Sequence, residues 1–287
     1  MAARRVMRSA AVSSVVAVPL VLALGAPARA GSSDVIPPMS PSNMPDFSHP
    51  TTIDNEFFPL EPGTEWVYKG TVTEAGASTP HEVIFTVSTL TKVIDGVKTR
   101  VVWDRDFGDG ELEEVELAFF AQDDKGRVWN FGEYPEEFAN GKFDGAPNVW
   151  ITGLDGARGG IHMLADPEVG DAYVEGLVRK IDFYDVSEVA AKGLNNCVPA
   201  GCYDDVLYVK ETSPLDKTGG IQTKYYAPDT GLIRIGAIGG DSQERMTLRS
   251  MKVLHGDALD AVDQEVKRLD RRGHRISDVY SETDPVR

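Results

Sequence analysis

Carboxylates are the residues of this chain whose spacing could do chemistry. Asp104, Asp106, Asp109 and Glu111 crowd around Gly108 and Gly110. Carboxylates gathered in one loop can converge on Ca2+, which takes about six to eight oxygen ligands. The spacing departs from the EF-hand loop: counted from Asp104, the fifth place is Gly108 and the twelfth, where that loop needs Glu, is Val115. A calcium site here would use Asp104, Asp106 and Asp109, and calcium is the one cofactor the acidic composition suggests. The simpler reading of the run is a solvated hairpin turn. A second chemistry is acid–base cleavage of glycans, for which two carboxyl groups must stand roughly 5–10 Å apart. Asp123-Asp124, Glu136-Glu137 and Asp204-Asp205 are adjacent pairs. Neighbouring residues on a strand point to opposite faces, so the partners would have to come from separate strands.

Other catalytic signatures are missing. His49, His81, His162, His255 and His274 stand singly, and none belongs to an H-E-x-x-H pattern. His162, set among apolar residues, reads as a packing residue. There is no G-x-S-x-G elbow, no phosphate-binding glycine loop and no dinucleotide fingerprint. The sequence assigns no catalytic residue and decides neither for nor against an enzyme. The only cysteines, Cys197 and Cys202, flank Val198-Pro199-Ala200-Gly201. In an oxidising compartment they are expected to close a small disulfide loop.

The elements that would position these residues are strands. Val83, Phe85 and Val87 alternate, and Asp95-Gly96 joins two β-rich runs, as does Asp109-Gly110. Asp-Gly between such runs is a hairpin signal. Strands are expected to continue through Leu112–Phe120, Val128–Phe131, Tyr173–Val178, Ile181–Val189, Val206–Glu211, Gln222–Ala227, Leu232–Ile238 and Arg245–Val253. Trp150-Ile151 and Ile161-His162-Met163 read as short packed pieces within long loops. The expected fold is mainly β: an antiparallel meander forming a curved sheet or partly open barrel, with a C-terminal α-helix. That helix is marked by Leu259, Val262, Val266 and Leu269 at intervals of three and four. Asp257 is its expected N-cap, Asp263–Lys267 a favourable pair, and Gly273 its stop.

Arg4, Arg5 and Arg8, the apolar run Ala10–Leu24 and Ala28-Arg29-Ala30 together form a secretory signal peptide over residues 1–30. Residues 31–52, rich in Ser and Pro, are expected to form a disordered lead-in. The β domain is then 53–255, and 256–287 the helix and tail. The expected location is secreted, periplasmic or extracellular. The formal charge is −16 and becomes more negative once the signal's arginines leave. Such a surface repels nucleic acid and anionic membrane. No later segment is apolar for the roughly 20 residues that a membrane span needs. A monomer is expected.

Four blocks of residues add a resemblance. They are Phe57-Phe58-Pro59-Leu60 with Pro62-Gly63-Thr64, Trp66-Val67-Tyr68 and Gly70; Val93–Val102; Ala121-Gln122-Asp123 with Val128-Trp129 and Phe131-Gly132-Glu133; and Tyr203–Leu207 with Lys224–Pro228 and Gly231-Leu232-Ile233. Together they resemble a group of secreted bacterial proteins of unassigned function, over most of the chain after residue 53. The resemblance implies export and no catalytic residue; the last block is also similar to bacterial envelope proteins with a curved sheet.

Aromatic residues supply the functional expectation. Phe119-Phe120 puts one ring on each face of a strand, so rings must be covered by a second layer or line a pocket. Trp66, Tyr68, Trp103, Trp129 and Tyr226 are the expected pocket residues. The favoured function is an exported, non-catalytic binding protein for a small apolar molecule or a cell-envelope component. The alternatives are a glycan-directed hydrolase with carboxylates from separate strands, and a structural interaction module of the envelope.

Overall fold

The chain is seen in a computed structural model that describes residues 35–216 and 218–287 and the backbone of Ser13–Ser14. The signal peptide assigned to residues 1–30 lies outside the residues whose packing is described.

Hairpin chemistry dictates the architecture. Asp95-Gly96 and Asp109-Gly110 take φ of 47° and 79°, and of 51° and 81°. Two successive positive φ values match the right-handed twist of the flanking strands and allow a two-residue turn. Ala75-Gly76 and Asn140-Gly141 do the same, at 47° and 81° and at 52° and 69°. The hairpins string together β1 (Thr64–Glu74), β2 (Ala77–Ile94), β3 (Val97–Gly108), β4 (Glu111–Gln122) and β5 (Val128–Ala139). A short excursion, β6 (Lys142–Gly145) and β7 (Trp150–Ile151), pairs back onto β5. The meander resumes with β8 (Arg158–Met163), β9 (Ala172–Val178), β10 (Phe183–Val198), β11 (Gly201–Thr212), β12 (Ile221–Ala227), β13 (Gly231–Ile238) and β14 (Ser242–Val253).

β14 then pairs with β1 along its length, from Ser242 opposite Glu74 to Val253 opposite Thr64. The result is a 12-strand antiparallel barrel, closed by its first and last strands. Closure removes the unpaired edges that an open sheet would carry. The segment around Ile161-His162-Met163, read from sequence as a piece within a loop, is a wall strand between β5 and β9. Ile181 belongs to a helical turn at Arg179–Ile181, so β10 starts later than the sequence suggested, at Phe183.

From Val35 onward the lead-in departs from the disordered segment expected over 31–52. Ile36 bridges Tyr173 in parallel, and the Met39 N–H donates to Gly159 O at 2.7 Å. Arg158 donates to the carbonyls of Pro38 and Met39, and Phe47 packs edge-on to Phe131 at 5.5 Å. Backbone bonds and buried apolar side chains supply what the composition did not advertise.

Helix α1 (Asp257–Ile276) and the short α2 (Asp278–Ser281) lie on the outer wall. Val262, Val266 and Leu269 are buried, as their periodicity required. Gly256 is the N-cap, so Asp257 sits in the first turn, where a carboxylate still favours the helix dipole. Asp263 accepts hydrogen bonds from Thr89 across the interface, and not the expected contact with Lys267. Gly273 is not the stop: the helix runs through it, and a Cβ there would come within 2.6 Å of the Tyr280 ring. A buried ion pair fastens this layer. Lys92 Nζ lies 2.9 Å from Asp270 Oδ1 and 4.2 Å from the Tyr280 ring centroid, and donates to Asp284 O at 2.6 Å. Cys197 and Cys202 are disulfide-bonded across the β10–β11 hairpin.

Candidate functional site: an acidic barrel lumen over an aromatic floor

The barrel encloses a cavity of about 330 Å3. Its floor is the segment just before β1. Leu60 N–H donates to Ile53 O, and Gly63 N–H to Val87 O, which tucks Phe57–Leu60 under the wall. The Phe58 ring stands 4.2 Å from His162, 5.4 Å from Phe120 and 6.3 Å from Phe85. Trp66 and Tyr226 join them. Trp66 Nε1 donates to Thr230 O and Tyr68 OH to Leu232 O, so each large ring has its polar end satisfied by the β12–β13 turn region. At the other end the lining includes the exposed residues Glu74 and Gly239, at hairpin tips, and here the lumen meets solvent.

Between floor and mouth the wall is acidic. Alternation brings Asp104 and Asp106 of β3, Glu116 of β4 and Glu133 of β5 inward. Glu175 of β9, Asp185 of β10, Glu211 of β11 and Glu244 of β14 complete the band. Three basic groups answer them. Lys224 Nζ lies 2.5 Å from Glu211 Oε2, His81 Nε2 2.8 Å from Asp106 Oδ1, and His162 Nδ1 3.4 Å from Glu175 Oε2. The acids outnumber them. Burial, reinforced by Asp106, pushes Asp104 up to about 7 and Glu244 up to about 7. Burial also raises Asp185 to about 7. Glu114 and Glu116 are raised well above the usual range by burial and by neighbouring carboxylates. Glu175 behaves oppositely: burial would raise it, but Lys224 and His162 outweigh burial and hold it ionised. Its neighbour Glu211 is raised by burial and by Glu175 itself. His81 loses some basicity to burial but gains more from Asp106, and ends above its ordinary value.

Of the residues singled out from sequence, Trp66, Tyr68 and Tyr226 meet in the lumen. Trp103 does not. It alternates with the inward Asp104, and the Arg105 guanidinium covers its ring at 3.9 Å on the outer face. Trp129 likewise alternates with inward Asn130; its N–H donates to Asp123 at 2.9 Å beneath Arg127. Asp104 and Asp106 face the lumen from β3, whereas Asp109 is exposed in the β3–β4 turn, so the three form no common loop site. Among the described residues the set that could hold a cation is His81, Asp106 and Glu113, with one ligand atom of each within 4.8 Å of the others. A β-bulge carries Glu113, and its carboxylate occupies the space a Cβ on Gly108 would need. Two of the adjacent acid pairs serve structure: Asp123 pairs with Arg127, Asp124 accepts from Ser48, and Glu136 accepts from Tyr134, whereas Asp204-Asp205 is exposed on β11. His162 is more than a packing residue, since it bridges the floor and Glu175.

Sequence reasoning missed Glu116, Glu133, Glu175, Glu211, Lys224 and Glu244. The available signal was charge at every second place within otherwise apolar strands, as in Glu114-Val115-Glu116-Leu117.

Among the described residues no helix is long and apolar enough to cross a membrane. The outer face around β1 carries Lys69–Glu82, Arg105–Glu65 and Lys252–Glu65 ion pairs. A lipid-facing barrel would present an apolar band there.

No family model and no curated protein matches the sequence. Two solved structures are similar in part. One is described as a "putative exported protein with YmcC-like fold" from Bacteroides fragilis: 14% identity, TM-score 0.43, covering 69% of this chain and 99% of its own. The other is a "putative lipoprotein" from Parabacteroides distasonis: 16% identity, TM-score 0.32, with the same coverage of 69% and 99%. Likenesses this distant carry no inference about what the present chain does.

Proposed function

We propose that this chain is an exported, non-catalytic binding protein whose barrel lumen holds a small ligand with an apolar part. The observation that carries the reading is the 330 Å3 cavity with its floor of Phe58, Phe85, Trp66 and Tyr226. A cavity of this size falls within the range of small-molecule sites, of about 300–1,000 Å3, which are mostly apolar with a few placed polar groups. Export is supported by the signal-like first 30 residues and by the cysteine pair. The test is displacement of a fluorescent apolar probe, N-phenyl-1-naphthylamine. The wild-type protein is expected to bind it with about one-to-one stoichiometry, and Phe120→Trp, which fills the floor, to weaken it at least about tenfold. Absence of probe binding together with a ligand-free native mass spectrum would overturn the reading.

A glycan-directed hydrolase has one specific observation in its favour. Glu175 and Glu211 come from separate strands with opposed shifts, the first held below and the second raised above its ordinary range, although the hydrogen bond between them sets them closer than the roughly 5–10 Å that glycoside cleavage needs. Opposed pKa values in one site are the mark of an acid and a base. Release of nitrophenol from nitrophenyl glycosides, lost in Glu211→Gln, would favour this reading over the first.

A further inference from the structure

We infer that the lumen selects a ligand carrying a positive charge: a small single-chain amine, its ammonium against the acidic band and its hydrocarbon end on the aromatic floor. This rests on the lumen being a ligand site and adds the class of ligand. The carboxylates without a partner point to this class. Lys224, His81 and His162 are engaged by Glu211, Asp106 and Glu175. Asp104 accepts from the Arg105 backbone N–H, Glu133 from Asn130 and Trp150, Asp185 from Ser213, and Glu244 from Gln222. Glu114 and Glu116 remain. Among the described residues neither makes a hydrogen bond or an ion pair.

Glu114 is only 9% exposed. It pairs in register with the inward Asp106 and so stands on the same face of β4 as Glu116, the one of the two that lines the cavity. Its nearest charges are the carboxylates of Asp106 and Asp104, which repel it. A buried acid kept only for folding is ordinarily bonded to an arginine or to backbone N–H groups, because leaving it unpaired costs several kcal/mol. An ammonium group, with three donors and no acceptor, supplies what Glu114 and Glu116 lack. A bare metal ion fits less well. The compact donor set is His81, Asp106 and Glu113, and it includes neither of them. Volume sets the scale of the ligand: 330 Å3 lies at the lower end of the roughly 300–1,000 Å3 of small-molecule sites, which suits one short chain.

The experiment is calorimetric titration of the purified protein at pH 7.5 with n-octylamine, n-octanol, octanoate and Zn2+. Octylamine is expected to bind at least tenfold more tightly than octanol, and octanoate not to compete. In the double variant Glu114→Gln/Glu116→Gln, octanol affinity should persist while the preference for the amine disappears. The amides keep the shape and remove only the ability to ionise against an ammonium group, so the variant should fold; circular dichroism checks this. Equal affinity for octylamine and octanol would overturn the charge inference and leave the lumen reading intact. Failure of all three chain probes would overturn both. Zn2+ binding that needs Glu114 and Glu116, with no binding of octylamine, would replace the amine with a metal.

Discussion

Lys224 is the residue on which the lumen's charge balance turns. It lies against Glu211, and it outweighs the burial that would otherwise protonate Glu175. Its own basicity is raised well above normal because Glu211 and Glu175 outweigh the opposing effect of burial. Removing one member of a buried pair strands the other charge, at about 3–5 kcal/mol. Lys224→Met is therefore expected to lower the melting temperature by about 10 °C, at a few degrees per kcal/mol for a domain of this size. The double variant Lys224→Met/Glu211→Leu should recover at least half of the loss, since an apolar pair leaves no buried carboxyl without a partner at position 211. A thermal melt of the three proteins decides; a double variant no better than the single would show that the pair is not the source of the cost. Little of this was readable beforehand. Glu211 and Lys224 fall on strands that the sequence located correctly, but nothing in Val206–Glu211 or Gln222–Ala227 says that they face each other across β11 and β12.

At the scale of elements, alternation located the strands without giving their sense. The usual assignment turns charged residues to solvent and apolar ones inward. In β4 it is reversed: Glu116 lines the lumen and Glu114 shares its face, while Val115, Leu117 and Phe119 face out. On that outer side Tyr280 of α2 covers Phe119. The same inversion turns Trp103 and Trp129 away from the cavity while Trp66 and Tyr226 stay within it. A strand with a covered outer face and a wet inner one reads identically to its opposite until the covering layer is known. The hairpins, by contrast, were legible because Asp-Gly fixes a turn locally. The covering layer should be separable in its own right. Lys92 is buried and fastened to Asp270, Asp284 and the Tyr280 ring. Lys92→Met leaves Asp270 buried with Tyr280 OH and the Val286 N–H as donors and His274 3.6 Å away, but without its lysine, and is expected to cost about 3–5 kcal/mol. Hydrogen exchange should then rise in residues 257–287 well before it rises in β10–β12. Uniform exchange across the molecule would mean that helix and barrel open as one unit.

For the whole molecule, the closed barrel converts a composition into a pH response. Closure by β1 and β14 was beyond the sequence, because a meander of hairpins is equally compatible with an open curved sheet. Only the long β14–β1 ladder confines so many acids in one volume. Asp104, Asp185 and Glu244 are each raised to about 7. A carboxyl group whose folded pKa exceeds its unfolded value of about 4 binds more protons when folded, so its contribution is complete at low pH and is lost as pH rises through 7. His81, raised above its ordinary value chiefly by Asp106 against the opposing effect of burial, changes stability in the same direction. Glu175, held below its ordinary value, has completed its change by pH 5 and adds no slope above it. Every resolved shift in the lumen that acts between pH 5 and 8 therefore has the same sign. The melting temperature should fall by about 5–10 °C over that interval, corresponding to a few kcal/mol. Asp104→Asn/Glu244→Gln should flatten the fall by stabilising the protein at pH 8 and changing little at pH 5. A bound cation that keeps these acids ionised without penalty should flatten it as well, so octylamine should raise the melting temperature more at pH 8 than at pH 5. A melting temperature that climbs from pH 5 to 8 in the ligand-free protein would mean that the lumen acids are already compensated, and the case for a cationic ligand would lose its electrostatic basis.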